Sequence, residues 1–357
     1  MFTKKVYGSD VSFGCDPELF FRKNGKIIES SEVLPEEGLH QTRGDYTVVE
    51  NIGSKITIDG VQVELNPQPY HCRAYVGNEI SRCFNKLRKE IDKEVEIDFS
   101  QMIKLKPKEL AAMSDRAKRF GCAPSYNAHK NGAKSKITVD PRVYGGRSAG
   151  GHIHIGSNSP RNTKLLEVLN QPLRVVPMLD IIVGNTCVMI DRNPANKERR
   201  KHYGRAGEYR TPSFGIEYRT LSNFWLQSYQ LMSLVMGLAR LAVSIVEKST
   251  DTDNYEKEIR DVISMKQVEK AINNNDFNLA YSNFKKIEPI LLGMIASYDN
   301  MMPFNNNTIR YFHHFISKPL NYWFPEKPLE HWMKLPEGHD NGWESWLNSK
   351  VKTDLNK

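Results

Sequence analysis

The segment AGGHIHIG, residues 149 to 156, places His152 and His154 one residue apart, directly after two glycines. Side chains of an extended strand alternate between its faces, so residues two apart point the same way and the two imidazoles share a face. The same spacing recurs with Asp16 and Glu18 in GCDPELFF, Glu64 and Asn66 in VELNP, Glu208 and Arg210 in GEYRT, and Glu217 and Arg219 in IEYRT. One such doublet reads as the wet face of an antiparallel sheet. Five of them do not have the composition of a generic solvent face, because they hold carboxylates, two histidines and two arginines but no lysine. If the sheet curves so that this polar face is concave, the groups converge. Asp16, Glu18, Glu64, His152 and Glu217 then offer oxygen and imidazole ligands suited to Mg2+ or Mn2+, and the arginines suit phosphate. Structural zinc is not implied, since no cysteine ligand set accompanies them; a two-histidine metal hydrolase stays open.

The elements that must position these groups follow from turn and periodicity signals. Asn24-Gly25 and Asp59-Gly60 each lie between apolar or alternating stretches and predict two-residue hairpins, so the front of the chain reads as antiparallel sheet. In VQVELNP, Val61, Val63 and Leu65 belong to the core face. Residues 71 to 94 carry apolar positions at helical spacing and predict an amphipathic covering helix. PKELAAMSDRAKRF predicts a further helix ending near Gly121. Residues 162 to 191 are a long apolar helical segment that its two prolines should kink or divide. The basic run PANKERRKHYGRAGEYR reads as a solvated loop, and residues 226 to 248, apolar nearly all round, as a buried core helix. Residues 250 to 302 read as helical, and the aromatic-rich tail as irregular, with Trp323, Trp332 and Trp343 packing inward.

At 357 residues and 39% hydrophobic the chain can bury a full core as one large domain or two ordinary ones. The N-terminal residues lack the apolar stretch of a secretory signal, and no uninterrupted apolar run of about 20 residues is present, so no membrane partner is expected. Five cysteines at irregular spacing imply neither a disulfide framework nor a zinc ribbon and fit a reducing cytoplasm. A net charge of +8 favours an anionic ligand such as a nucleotide or nucleic acid.

GCDPELF, VELNP, GGHIHIG and RAGEYRTPSFGIEYRTLSNFW, in this order, resemble the carboxylate-amine ligases of the glutamine synthetase and glutamate-cysteine ligase superfamily. The nearest likeness is to the phage-associated type 2 COOH-NH2 ligases, or amidoligases. The resemblance implies an α+β fold in which a curved antiparallel sheet, covered by helices, carries ATP and divalent cations on its concave face. It implies a catalytic core over residues 1 to 225 with a mainly helical region, 226 to 357, packed on it. The enzyme of this kind phosphorylates a substrate carboxylate with ATP, and an amine then displaces the phosphate to form an amide. By position, Asp16, Glu18, Glu64, His152 and Glu217 resemble the ligands of Mg2+ or Mn2+, and His154, Arg205 and Asn66 resemble groups around the nucleotide. Arg210 and Arg219 resemble the arginines that hold the transferred phosphoryl group, with Glu208 as the base for the amine. The first acidic pair here is Asp-Pro-Glu, where better-known members use two glutamates, so Asp16 reaches less far. The carboxylate and amine substrates are expected to be small molecules or groups attached to a peptide or nucleic acid. Two other classes stay open: a metal-dependent hydrolase on the same residues, and a basic nucleic-acid-binding protein.

Overall fold

The computed structural model describes residues 11–34, 45–46, 54–120, 125–135, 139–157, 162–249, 254–297 and 323–333. Its first strands are β1 (Val11–Cys15), β2 (Glu18–Lys23), β3 (Lys26–Ile28), β4 (Asp45–Tyr46), β5 (Lys55–Asp59), β6 (Gln62–Asn66) and β7 (Val95–Asp98). The others are β8 (Met102–Lys104), β9 (Tyr126–Asn127), β10 (Ala133–Lys134), β11 (Gly146–Ser148), β12 (Ile153–Ser157), β13 (Glu208–Arg210) and β14 (Gly215–Tyr218). One antiparallel sheet runs β1-β12-β14-β13-β9-β10, a second runs β3-β2-β6-β5-β4 with β7 also on β2, and β8 pairs with β11. The two large sheets are joined at Asp16-Pro17, where β1 ends and β2 begins. That break is stitched from both sides: Leu65 N–H donates to Pro17 O, and Glu18 N–H to Gly150 O. Hairpins form at both expected places: Asn24-Gly25 are the turn residues of the first, whereas in the second Asp59 pairs with Gln62 at the end of β5 and the turn falls one residue on, at Gly60-Val61; Asn24, Gly25 and Gly60 take positive φ.

The helices are α1 (Ser30–Val33), α2 (Arg73–Glu90), α3 (Pro107–Ala112), α4 (Thr163–Leu169), α5 (Pro172–Leu179), α6 (Asn185–Ile190) and α7 (Ala195–His202). They continue as α8 (Tyr229–Lys248), α9 (Tyr255–Val262), α10 (Met265–Asn274), α11 (Phe277–Ser297) and α12 (Pro328–Met333). The mixed arrangement of helices on antiparallel sheet, with a helical C-terminal part, agrees with the sequence reading. Val61, Val63 and Leu65 are fully buried as expected, and α8 packs against α2 and α5 in the core. Pro172–Ile190 and Tyr229–Lys248 are long and apolar enough by composition to cross a bilayer, yet 89% and 94% of their most apolar windows are buried inside the protein. They are the central helices of its core.

Three local expectations need correction. The helix expected to end near Gly121 stops at Ala112, because the Glu29 carboxylate takes the N–H and hydroxyl of Ser114 and draws the chain out of the helix. Of the two prolines in the 162–191 segment, Pro172 divides it as expected, starting α5 after α4 ends at Leu169 in the position that needs no N–H donor, whereas Pro177 lies within α5 without ending it. A wider π turn at Asp180–Gly184 then carries α5 into α6. The basic run is not a solvated loop: it forms α7, and Arg199 and Arg200 are 1% and 4% exposed. Arg199 donates to the carbonyls of Thr220 (2.9 Å) and Leu221 (2.6 Å), and Arg200 to that of Ile272 (2.6 Å). These guanidinium groups satisfy carbonyls at the ends of other elements, a role invisible in local composition.

Trp323 and Trp332 are buried, and the Trp332 indole donates to Leu226 O at 2.6 Å. The thiols of Cys15, Cys72, Cys83 and Cys187 are free, and burial pushes those of Cys15, Cys83 and Cys187 up, which suits inert core residues. Trp343 and Cys122 lie outside the described residues.

Candidate active site

Strand register brings the sequence doublets together. His154 on β12 stands opposite Glu217 on β14, Glu217 stands opposite Arg210 on β13, and Glu18 on β2 stands opposite Glu64 on β6. Among the described residues, two groups of three acidic or imidazole side chains have ligand atoms within 4.8 Å of one another: Asp16, His154 and Glu217, and Glu18, Asp59 and Glu64.

In the first group the carboxylate of Asp16 lies between the imidazoles. Its Oδ1 is 2.8 Å from His152 Nδ1 and its Oδ2 is 3.4 Å from His154 Nε2, while His152 Nδ1 is 3.6 Å from Glu217 Oε1. None of these contacts has hydrogen-bond alignment: Asp16 Oδ1, His152 Nδ1 and His154 Nε2 are buried with no hydrogen-bond partner among the described residues. Burial acts to raise Asp16, but the facing imidazoles outweigh it and hold the carboxyl well below the usual range. Burial pushes His152 down, whereas for His154 the pull of Asp16 outweighs burial and raises it.

In the second group three carboxylates face one another. Glu18 accepts the Gly150 N–H through Oε2 at 2.7 Å, and its Oε1 has no partner among the described residues. Glu64 Oε1 accepts from Asn66 Nδ2 at 2.9 Å and Thr57 Oγ1 at 3.1 Å, so Asn66 and Thr57 orient it. Burial, then the charge of Asp59, lifts Glu18 to about 8. Burial, then Asp16, lifts Asp59 to about 6, and burial with the charges of Asp16, Asp59 and Glu18 pushes Glu64 well above its ordinary value. Three facing carboxylates, Glu18 buried and Asp59 and Glu64 half-buried, all raised above their ordinary values and with an unpartnered oxygen on Glu18, fit a divalent cation, and the oxygen and imidazole donors fit Mg2+ or Mn2+.

Positive groups border both clusters. The Arg219 guanidinium is fully buried, bonded through Nη1 to Glu217 Oε1 and through Nη2 to the Tyr203 hydroxyl at 2.9 Å. Arg210 Nη1 is 3.5 Å from Glu217 Oε1. Glu208 is 1% exposed and closes the turn before it by accepting the Gly204 N–H at 2.9 Å. Arg205 is not brought to the cluster: its guanidinium donates to the carbonyls of Arg200 and Lys201 at the end of α7. The two glycines before β12 are needed for close approach. A Cβ on Gly150 would stand 2.6 Å from His152 Nε2, and one on Gly151 would stand 2.3 Å from Ser222 O.

Two residues of this site escaped the sequence reading. Asp59 reads as a turn residue in the sequence, which masked its carboxylate, but it ends β5; alternation puts it with Thr57 on the face of β5 that meets Glu64, and that signal was present. Tyr203 follows the basic run with no periodic signal, yet its hydroxyl bonds both His152 Nε2 and Arg219.

Residues 139–287 match the family model described as phage phiEco32-like COOH.NH2 ligase, type 2. The matched stretch contains His152, His154, Glu208, Arg210, Glu217 and Arg219, whereas the strands carrying Asp16, Glu18, Asp59 and Glu64 precede it. Among solved structures, the chain is similar to a bifunctional glutathione synthetase from Pasteurella multocida, with a TM-score of 0.50 at 12% identity. The similarity covers 90% of this chain and 48% of that one, so the chain spans about half the length of that protein. At this identity the likeness is one of fold. No curated protein matches the chain.

Proposed function

We propose, for a chain that resembles the type 2 COOH-NH2 ligases, that the protein is an ATP-dependent ligase joining a substrate carboxylate to an amine. The observation that carries this reading is the presence of two clusters with cation-ligand spacing beside Arg210 and Arg219, both of which reach Glu217 of the first cluster. Phosphoryl transfer demands this combination, because charge develops on phosphate oxygens and the protein's work is to position and neutralise it. On this reading the sheets form a glutamine synthetase-like catalytic core, with the helices after residue 225 packed on it.

Asp16, His152, His154 and Glu217 would hold one Mg2+ or Mn2+, and Glu18, Asp59 and Glu64 another; cations there neutralise the polyphosphate of ATP and the phosphoryl group in flight. Arg219 and Arg210 present guanidinium groups to the γ-phosphoryl oxygens. A carboxylate oxygen of the substrate attacks the γ-phosphorus, and ADP departs with the electrons of the broken P–O bond. The nitrogen lone pair of the amine then attacks the acyl carbon; phosphate leaves carrying the original carboxylate oxygen, and the amine gives its proton to Glu208, the base that the resemblance implies. Asn66 orients Glu64, and Glu208 fixes the turn that leads Arg210 into place.

Release of ADP and phosphate from ATP, with Mg2+ or Mn2+ and pooled amino acids, polyamines and small carboxylates, tests the assignment. Turnover should require a pool and fall by about two to three orders of magnitude in Glu217→Gln. Wild-type turnover in that variant would remove Glu217 from the chemistry.

A further inference from the structure

Tyr203 stands where α7 ends, its backbone N–H donating to Arg199 O at 2.9 Å. The side chain is half-buried and held from several sides. The guanidinium carbons of Arg199 and Arg219 lie 5.2 Å and 5.3 Å from its ring centroid, and the His152 ring meets it edge-on at 5.6 Å. Its hydroxyl reaches His152 Nε2 and Arg219 Nη2 at once.

A guanidinium can only donate, so the phenol oxygen accepts from Arg219 and keeps a second lone pair. The other nitrogen of His152, Nδ1, points at Asp16 Oδ1 and Glu217 Oε1, where a cation would need its lone pair. The proton of a neutral imidazole must then sit on Nε2, which faces the Tyr203 oxygen. One phenol oxygen thus receives the second N–H of a cation ligand and an N–H of the arginine that meets phosphate.

We propose that Tyr203 is a positioning residue that couples the cation half of the site to the phosphate half, by fixing the His152 ring and the Arg219 guanidinium through one hydroxyl. The inference rests on the ligase reading of the clusters and adds what the charge-rich helix is for: α7 delivers Tyr203, and Arg199, anchored on the carbonyls of Thr220 and Leu221, braces it. Because both halves share the hydroxyl, binding of a divalent cation and of a nucleotide triphosphate strengthen one another through it, and the effect is reciprocal.

The test uses the full chain and titrates Mn2+ by electron paramagnetic resonance and calorimetry, alone and with the β,γ-imido analogue of ATP, in wild type, Tyr203→Phe and His152→Ala. Phenylalanine keeps the ring and both guanidinium contacts, so thermal unfolding of Tyr203→Phe should stay close to wild type. Its Mn2+ affinity at the histidine-containing cluster should fall about tenfold. Affinity at the Glu18, Asp59 and Glu64 cluster should not change, and the mutual enhancement of Mn2+ and the analogue should shrink by a similar factor. Wild-type affinity and enhancement in Tyr203→Phe, with the ion lost from His152→Ala, would overturn the role of Tyr203 and leave the cation site standing. Mn2+ binding that is absent in wild type, or unchanged in His152→Ala, would overturn the cation reading itself.

Discussion

Glu64→Gln should make the metal-free protein more stable at pH 8 and remove most of the stabilisation that Mn2+ gives the wild type. The reason lies in the three facing carboxylates. Glu18 is lifted to about 8 and Asp59 to about 6, and Glu64 is pushed up as well, so the folded state holds protons that the unfolded chain releases near pH 4. A raised folded-state value contributes stability below the unfolded value and loses it as pH rises through the folded one. The metal-free wild type should therefore lose stability between about pH 5 and pH 8. His154, also raised, adds to that trend; His152, lowered, opposes it; Asp16 titrates below this window. The amide that replaces the Glu64 carboxylate keeps an oxygen for Asn66 and Thr57 while removing one like charge, a gain on the order of a few kcal/mol at the upper end of the window. Thermal unfolding from pH 5 to 8 with and without Mn2+ checks this. A variant less stable than wild type at pH 8, with an undiminished response to Mn2+, would show that the cluster does not take a cation.

The second large effect belongs to Arg219. Its guanidinium is fully buried and bonds Glu217 and Tyr203 with different nitrogens, which lysine, a compact single charge, cannot reproduce. Arg219→Lys should reduce ATP turnover by about two to three orders of magnitude while Mn2+ affinity stays within about threefold of wild type. Lysine is the informative replacement, because alanine would leave buried Glu217 without its guanidinium partner, at a cost of about 3–5 kcal/mol in the metal-free protein. Steady-state kinetics beside Mn2+ titration separates the two effects. Turnover equal to wild type would place the phosphoryl group elsewhere.

The legibility of this site followed the range of the interactions that build it. Strand alternation is a local property, so the convergence of His152 with His154 could be read directly, as could the presence of hairpins near Asn24-Gly25 and Asp59-Gly60; Asp16 and Glu18 stand on either side of the break between β1 and β2 and went to different clusters. Register is not local: that His154 faces Glu217 and Glu18 faces Glu64 depends on pairing between distant segments. Asp59 was hidden because an Asp-Gly pair reads as a turn, whereas Asp59 closes β5 and faces the cluster. The run around Arg199 and Arg200 looked solvated because the carbonyls that receive those guanidinium groups, on Thr220, Leu221 and Ile272, are far away in sequence. Tyr203 depended on that helix and so could not be found without it. The ligase reading came from the resemblance of four motifs to carboxylate-amine ligases, since spacing alone left a metal hydrolase open.

Oxygen tracing separates these two chemistries most directly. The protein would be given ATP, a divalent cation, an amine pool and carboxylates labelled with oxygen-18 in the carboxyl group, and the phosphate released would be analysed by mass. A ligase passing through an acyl phosphate transfers one labelled oxygen from carboxylate to phosphate for each amide formed, and that is the expected result. Phosphate free of the label, its one new oxygen taken from water and its release independent of carboxylate and amine, would contradict it and assign the site to hydrolysis.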